Sequence, residues 1–106
     1  MIAYKLVRKL KDGSISPLFI NKRLRIPVGE WLEAEDHKTK GFAHRVGWHC
    51  TRHSVAPHLK TRLKSGEVRV WYMVEIEDFT EEHRPLSQGG LWYLANKIKF
   101  LEEIYN

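Results

Sequence analysis

Glu75 and Glu77 flank Ile76, and on an extended strand that spacing puts both carboxylates on one face, about 7 Å apart. Such a pair suits general acid and base work or the recognition of a ribose, because each carboxylate accepts a hydroxyl proton or steadies a developing positive charge. Asp78 follows directly, which offers a plainer reading: three acids marking the solvent end of a strand. A second cluster, His44, His49, Cys50, His53 and His58, holds the side chains that zinc prefers. His49 and His53 stand four apart, but a strand-to-helix junction between them breaks the shared face that this spacing needs. Cys50 is the single cysteine, so a closed structural site lacks a second thiolate and no metal is expected. As strand neighbours, Cys50 and His49 point to opposite faces and make no nucleophile and base pair. Ser14 and Ser87 have no implied base, and Gly89-Gly90 lacks the Lys and Ser or Thr of a phosphate-cradling loop.

What remains is the chemistry of contact with a polyanion. The formal net charge is +5, and the excess is uneven. Residues 1–64 hold 14 Lys and Arg against 5 Asp and Glu, whereas residues 65–106 hold 4 against 8. Cations placed on phosphates release condensed counterions and bind more tightly at low salt. The candidate nucleic-acid contacts are Lys22, Arg23, Arg25, Arg45, Arg52, Lys60, Arg62 and Lys64. Trp31, Trp48, Trp71 and Trp92 interleave with basic residues, as in Arg69-Val70-Trp71-Tyr72, and suit stacking on unpaired bases. At least two of the four are expected in the core. An acidic C-terminal portion folded against the basic part would cancel the field.

These side chains must be held by a small number of elements. Ala3 to Leu10 alternate as a strand, and Asp12-Gly13 tolerates the positive φ angles of a tight hairpin turn. The return strand, Ile15 to Ile20, is confined by Pro17 to an edge or a bulge. Asn21 to Ile26 reads as a short strand or extended loop, with Leu24 and Ile26 inward. Pro27-Val28-Gly29 turns the chain, Glu30 to Glu35 is either a helical turn or a short strand, and His37 to Gly41 is an exposed loop. Val46 to Thr51 reads as a buried central strand, where Gly47 admits another backbone or a ligand. Ser54 caps a helix through about Lys64, with Pro57 in its first turn and Val55, Leu59 and Leu63 on one face; Gly66 ends it. Val68 to Glu77 carries bulk on both faces and belongs mid-sheet. After a polar connection from Asp78 to Gly90, the last segment reads as a helical start from Leu91 and a terminal strand from about Ile98.

The expected fold is therefore α+β: a small, mostly antiparallel sheet with one or two short helices. With 106 residues, 42% of them hydrophobic, one domain over 1–106 is expected, with a core large enough to fold. One cysteine, no secretory signal and no run of apolar residues long enough to span a bilayer point to the cytoplasm.

Taken in order, the pieces resemble the ADP-ribosyltransferase-like fold: a first strand ending in Arg8, a strand with Gly and an aromatic running into a Ser and Ala at a helix start, and a strand with Glu-x-Glu. The resemblance implies that Arg8 holds dinucleotide phosphates, Thr51 braces the site and Glu77 activates the acceptor, with Glu75 as the second carboxylate and NAD as cofactor. Cys50-Thr51-Arg52 departs from the family's Ser-Thr-Ser. The chain is also similar to small proteins of bacteria and their phages. The leading expectation is a basic binding module of phage or mobile-element origin, without a cofactor, that engages nucleic acid or a nucleic-acid-handling protein. The alternative is a minimal or degenerate ADP-ribosyltransferase-like enzyme using NAD.

Overall fold

A computed structural model describes residues 1–18, 23–34, 47–53 and 66–104. Among the described residues six strands run in the order β1 (Ile2–Lys9), β2 (Ile15–Ser16), β3 (Trp31–Glu33), β4 (Trp48–Thr51), β5 (Val68–His83) and β6 (Leu91–Ile104). All their pairings are antiparallel. The ladder closes on itself, because β1 pairs β5, β5 pairs β6, β6 pairs β4, and β4 returns to β1 where Thr51 faces Tyr4. β2 continues the same side of β1 at Arg8 and Lys9, and β3 continues the same side of β6 at Lys97 to Lys99. A short closed sheet of this kind leaves few free edges and one interior.

Strands take up 62% of the described residues and helical turn 4%, the latter a 3-10 turn at Leu86–Gln88. The α+β expectation is overturned: the described chain is almost all antiparallel sheet. The helical start expected at Leu91 is strand, paired with β5 from Leu91 and His83 onward. The helix expected from Ser54 to Lys64 lies outside the described residues, as do the loop His37 to Gly41, Val46, and most of the second half of the expected return strand. That strand is cut to Ile15–Ser16, directly before Pro17, whose missing N–H cannot continue a ladder.

Local chemistry explains the remaining elements. The first hairpin turns at Gly13, with φ 88°, where Gly13 N–H donates to Leu10 O and Leu10 N–H to Ser14 O. β5 lies between β1 and β6, as its two bulky faces require. Gly47, with φ 139°, sits where an added Cβ would stand 2.6 Å from Leu94 Cγ, so β4 approaches β6 only because that residue has no side chain.

The interior is filled from every main strand by Ala3, Val7, Ile15, Ile26, Cys50, Val74, Ile76, Tyr93, Ala95, Ile98 and Phe100. Each fully buried large side chain contributes roughly 1.5–3 kcal/mol of transfer free energy. Leu6, Leu18, Trp71 and Trp92 form a second buried cluster on the other face. Trp71 and Trp92 thus meet the expectation that two tryptophans are core. The long hairpin of β5 and β6 is interrupted twice. Between Met73 and Val74 the register slips so that β6 carries one extra residue, Leu101, a bulge that bends the strand. At Asp78, φ is 52°, and the exposed residues Glu77 and Asp78 stand opposite the exposed Lys97 and Asn96. Asn96 Nδ2 donates to Asp78 Oδ2 at 3.0 Å. Two successive outward residues on each strand shift the alternation, so Ile76 and Phe79 both reach the same interior.

Candidate nucleic-acid interface

The stretch after β2 is held by its apolar residues and displays its charged ones. Ile26 is buried and its N–H donates to Ile15 O at 2.9 Å; Gly29 N–H donates to Phe100 O at 2.8 Å. With Leu24 packed on the interior, alternation sends the intervening Arg23 and Arg25 outward, and both are exposed. Arg25 Nη1 donates to Arg23 O at 3.2 Å, which folds the Arg25 side chain back on its own backbone stretch. Among the described residues neither makes an ion pair. Asp12 is the acid that feels Arg25, yet its Oδ1 accepts from both the hydroxyl and the backbone N–H of Ser14. Those two bonds, more than the Arg25 charge, hold the Asp12 carboxyl below its ordinary range. Lys11 is exposed beside it.

Six residues beyond Arg25, the same stretch enters β3 at Trp31, which is 42% exposed. Lys99 Nζ lies 5.8 Å from the centroid of its ring, across the Trp31 and Lys99 pair of β3 and β6. Trp48 is half-buried and Trp71 and Trp92 are buried, so Trp31 alone of the four opens a ring to solvent. An open groove beside it is lined by Trp31, Leu32, Glu33, Glu77 and Lys97. The expected site residue Arg52 is exposed after β4, without an ion pair among the described residues. Lys22, Arg45, Lys60, Arg62 and Lys64 lie outside the described residues.

The later carboxylates do fold against early cations, but at other positions. Glu103 Oε1 accepts from Lys9 Nζ at 2.9 Å. Glu67 takes Arg69 Nε at 2.8 Å and lies 3.9 Å from Arg8 Nη1, between two arginines that face each other across β1 and β5. The masking anticipated from the charge asymmetry therefore falls on β1, and Arg23, Arg25 and Arg52 escape it.

Arg8, Thr51, Glu75 and Glu77 are not gathered. Arg8 Nε donates to Ser16 Oγ at 3.0 Å, at the end of β1 paired with β2. Glu75 faces Ile2 at the other end, six residues away and so roughly 20 Å along the strand. Thr51 is buried between them, its hydroxyl directed at Tyr4 O and His53 O. Glu75 and Glu77 stand opposite Lys99 and Lys97, a cross-strand arrangement of opposite charges. Of the histidine and cysteine cluster, His44 and His58 lie outside the described residues. His49 packs edge-on to Trp92 at 6.5 Å and His53 is exposed. Among the described residues no three His, Cys, Asp or Glu are placed to hold a metal ion. Burial pushes the Cys50 thiol up to about 11, against the pull of the Lys5 charge.

Lys5 is the residue that sequence reading passes over. It lies between Ala3 and Val7 on the interior row of β1, with its ammonium 2.7 Å from His49 O and 5.8 Å from the Trp48 ring centroid. Burial lowers its pKa. Trp48 Nε1 is buried and has no hydrogen-bond partner among the described residues. Apolar residues on both alternating positions of this strand hide which parity faces inward.

The chain matches no family model, no curated protein and no solved structure. Among the described residues no helix is long and apolar enough to cross a membrane.

Proposed function

We propose that the protein is a small basic binding module for nucleic acid, with an unpaired strand as its ligand. The observation that carries this reading is the pair of exposed guanidinium groups, Arg23 and Arg25, left without carboxylate partners among the described residues while Arg8, Lys9 and Arg69 have them. Guanidinium forks match phosphate oxygens bidentately, and Trp31 farther along the same stretch supplies a face on which a base stacks. Lys99 at the Trp31 ring and Lys11 near the first turn add charge on either side. Glu33 and Glu77 in the groove beside Trp31 repel a phosphate, so the backbone runs on the arginine side and only a base reaches the ring. Lys22, Arg45, Lys60, Arg62 and Lys64 would extend the contact. No observation of the described residues favours the NAD-using alternative, whose four residues lie apart on β1, β4 and β5.

Fluorescence anisotropy with labelled single-stranded and duplex oligonucleotides over a salt series tests the reading. Each phosphate contact on a single strand contributes a slope of about −0.7 in log K against log salt, so Arg23→Ala/Arg25→Ala should flatten the slope by about 1.4. Trp31→Ala should weaken single-strand binding about 5- to 150-fold, following roughly 1–3 kcal/mol per stacked base, with less effect on duplex. Binding that ignores salt overturns the proposal.

A further inference from the structure

The groove beside Trp31 holds more than a stacking face, and its hydrogen-bonding groups follow from strand register. β6 runs between β3 and β5 there, so Lys97 has Glu33 opposite it on one side and Glu77 on the other. Directly opposed residues send their side chains to the same face of a sheet. Trp31, two residues before Glu33, shares that face with Lys99 opposite it. Trp31, Glu33, Glu77 and Lys97 are all exposed and line one open groove. Among the described residues neither carboxylate, nor the ammonium between them, is engaged in an ion pair or a side-chain hydrogen bond.

The order across the three strands is therefore acceptor, donor, acceptor, beside an aromatic face. An ionised carboxylate accepts at two oxygens and donates nothing, and it is best matched by two parallel N–H groups taken as a fork. The acids turn phosphate away, so the group that reaches them is a base edge and not the backbone. With a base stacked on Trp31, Glu33 stands about 7 Å farther along β3, within reach of the edge that points away from the sugar. Of the common bases, guanine alone carries two adjacent N–H donors on that edge, N1–H and the N2 amino group, with the O6 acceptor next to them. Adenine and cytosine set a ring-nitrogen acceptor beside one amino group. Thymine and uracil flank one N–H with two carbonyls.

We propose that this groove reads unpaired guanine. The base stacks on Trp31, Glu33 accepts from N1–H and the N2 amino group, and the Lys97 ammonium donates to O6, while Glu77 on the far side of Lys97 keeps phosphate out. In a duplex that edge is taken up by cytosine, so the groove selects an unpaired strand for a reason separate from stacking. The inference rests on the reading that Trp31 stacks a base, and it needs no contact from Arg23 or Arg25.

Anisotropy with labelled strands of abasic sugars that carry a single central base tests this, because charge and length stay constant while the base changes. The guanine strand should bind about 5- to 30-fold more tightly than the adenine, cytosine or thymine strand, as a bidentate pair discriminates. Hypoxanthine, which keeps N1–H and lacks the N2 amino group, should fall between guanine and adenine. Glu33→Gln gives up one of the two acceptor oxygens and the repulsion of phosphate. It should therefore flatten the ranking of bases while binding the wholly abasic strand at least as well as the parent does, an outcome that a misfolded variant does not produce. Equal affinity for all bases, hypoxanthine bound as tightly as guanine, or a guanine preference that survives Glu33→Gln overturns the proposal. Binding that is indifferent to the base but retains its salt slope overturns this inference and leaves the nucleic-acid reading standing; failure to bind any strand overturns both.

Discussion

Lys5→Met is the substitution whose outcome the interior decides most directly. Lys5 is half-buried, and its ammonium reaches one carbonyl acceptor, His49 O at 2.7 Å, and the Trp48 ring at 5.8 Å among apolar strands. Against the charge-assisted hydrogen bond, worth about 1.5–3 kcal/mol, and a cation–π contact of about 0.5–2 kcal/mol, stands a desolvation penalty of several kcal/mol for a buried ion. Burial, the leading cause that lowers the Lys5 pKa, acts in the same direction as that penalty. Methionine nearly matches the stem and carries no charge. Replacing buried charge by an apolar side chain of similar volume is often stabilising by about 1–4 kcal/mol, and at about 4–8 °C per kcal/mol for a domain near this size a rise of at least 4 °C is expected in thermal melts at pH 7. The pH dependence supplies an independent check. Because the folded state disfavours the ammonium, it binds fewer protons than the unfolded chain between the lowered value and 10.5. Wild-type stability therefore gains from this group as pH rises through that window, and the gain is absent below it. Lys5→Met should remove this contribution. A variant that melts below the parent at pH 7 refutes the reasoning, and so does one that keeps the parent's alkaline gain.

Three other substitutions or probes read separate features. Gly47→Ala should cost roughly 2–4 kcal/mol, since the new Cβ meets Leu94 Cγ at 2.6 Å on a backbone at φ 139°; Gly13→Ala, with nothing within 4 Å, should cost about 1–2 kcal/mol in chemical denaturation. Cys50 should stay unlabelled by a thiol reagent at pH 8 until denaturant is added. Its raised pKa means that stability held below 9.0 is lost as pH climbs through about 11, a slope that Cys50→Ala should abolish. Glu67→Gln should cost about 1 kcal/mol at low salt by leaving Arg8 and Arg69 to face each other, and the deficit should shrink in high salt.

The sequence was most legible where local chemistry decides the structure. The alternation of β1, the Asp12-Gly13 turn, the turn before β3 and the two-faced first half of β5 all depend on neighbouring residues. The terminal segment misleads for a definite reason. Its interior residues are Tyr93, Ala95, Ile98 and Phe100, and the paired outward residues Asn96 and Lys97 put a step of three into a period of two. That step, with Leu91, Leu94 and Leu101, imitates a helix. The same irregularity at Asp78 hides the second half of β5, which is strand only because β6 lies beside it. Of the candidate site, Arg23 and Arg25 are readable from their alternation with Leu24 and Ile26. The exposure of Trp31 and the inward position of Lys5 depend on pairings with distant strands, which no local pattern records.

The closure of the sheet also constrains how the chain is made. β1 finds its long partner only in residues 68–75, and at translation rates of about 5–20 residues per second the nascent first strand waits several seconds for it. During that interval Ala3, Leu6 and Val7 have no long strand to cover them. A chain stalled before residue 68 therefore exposes a first strand whose long partner is missing.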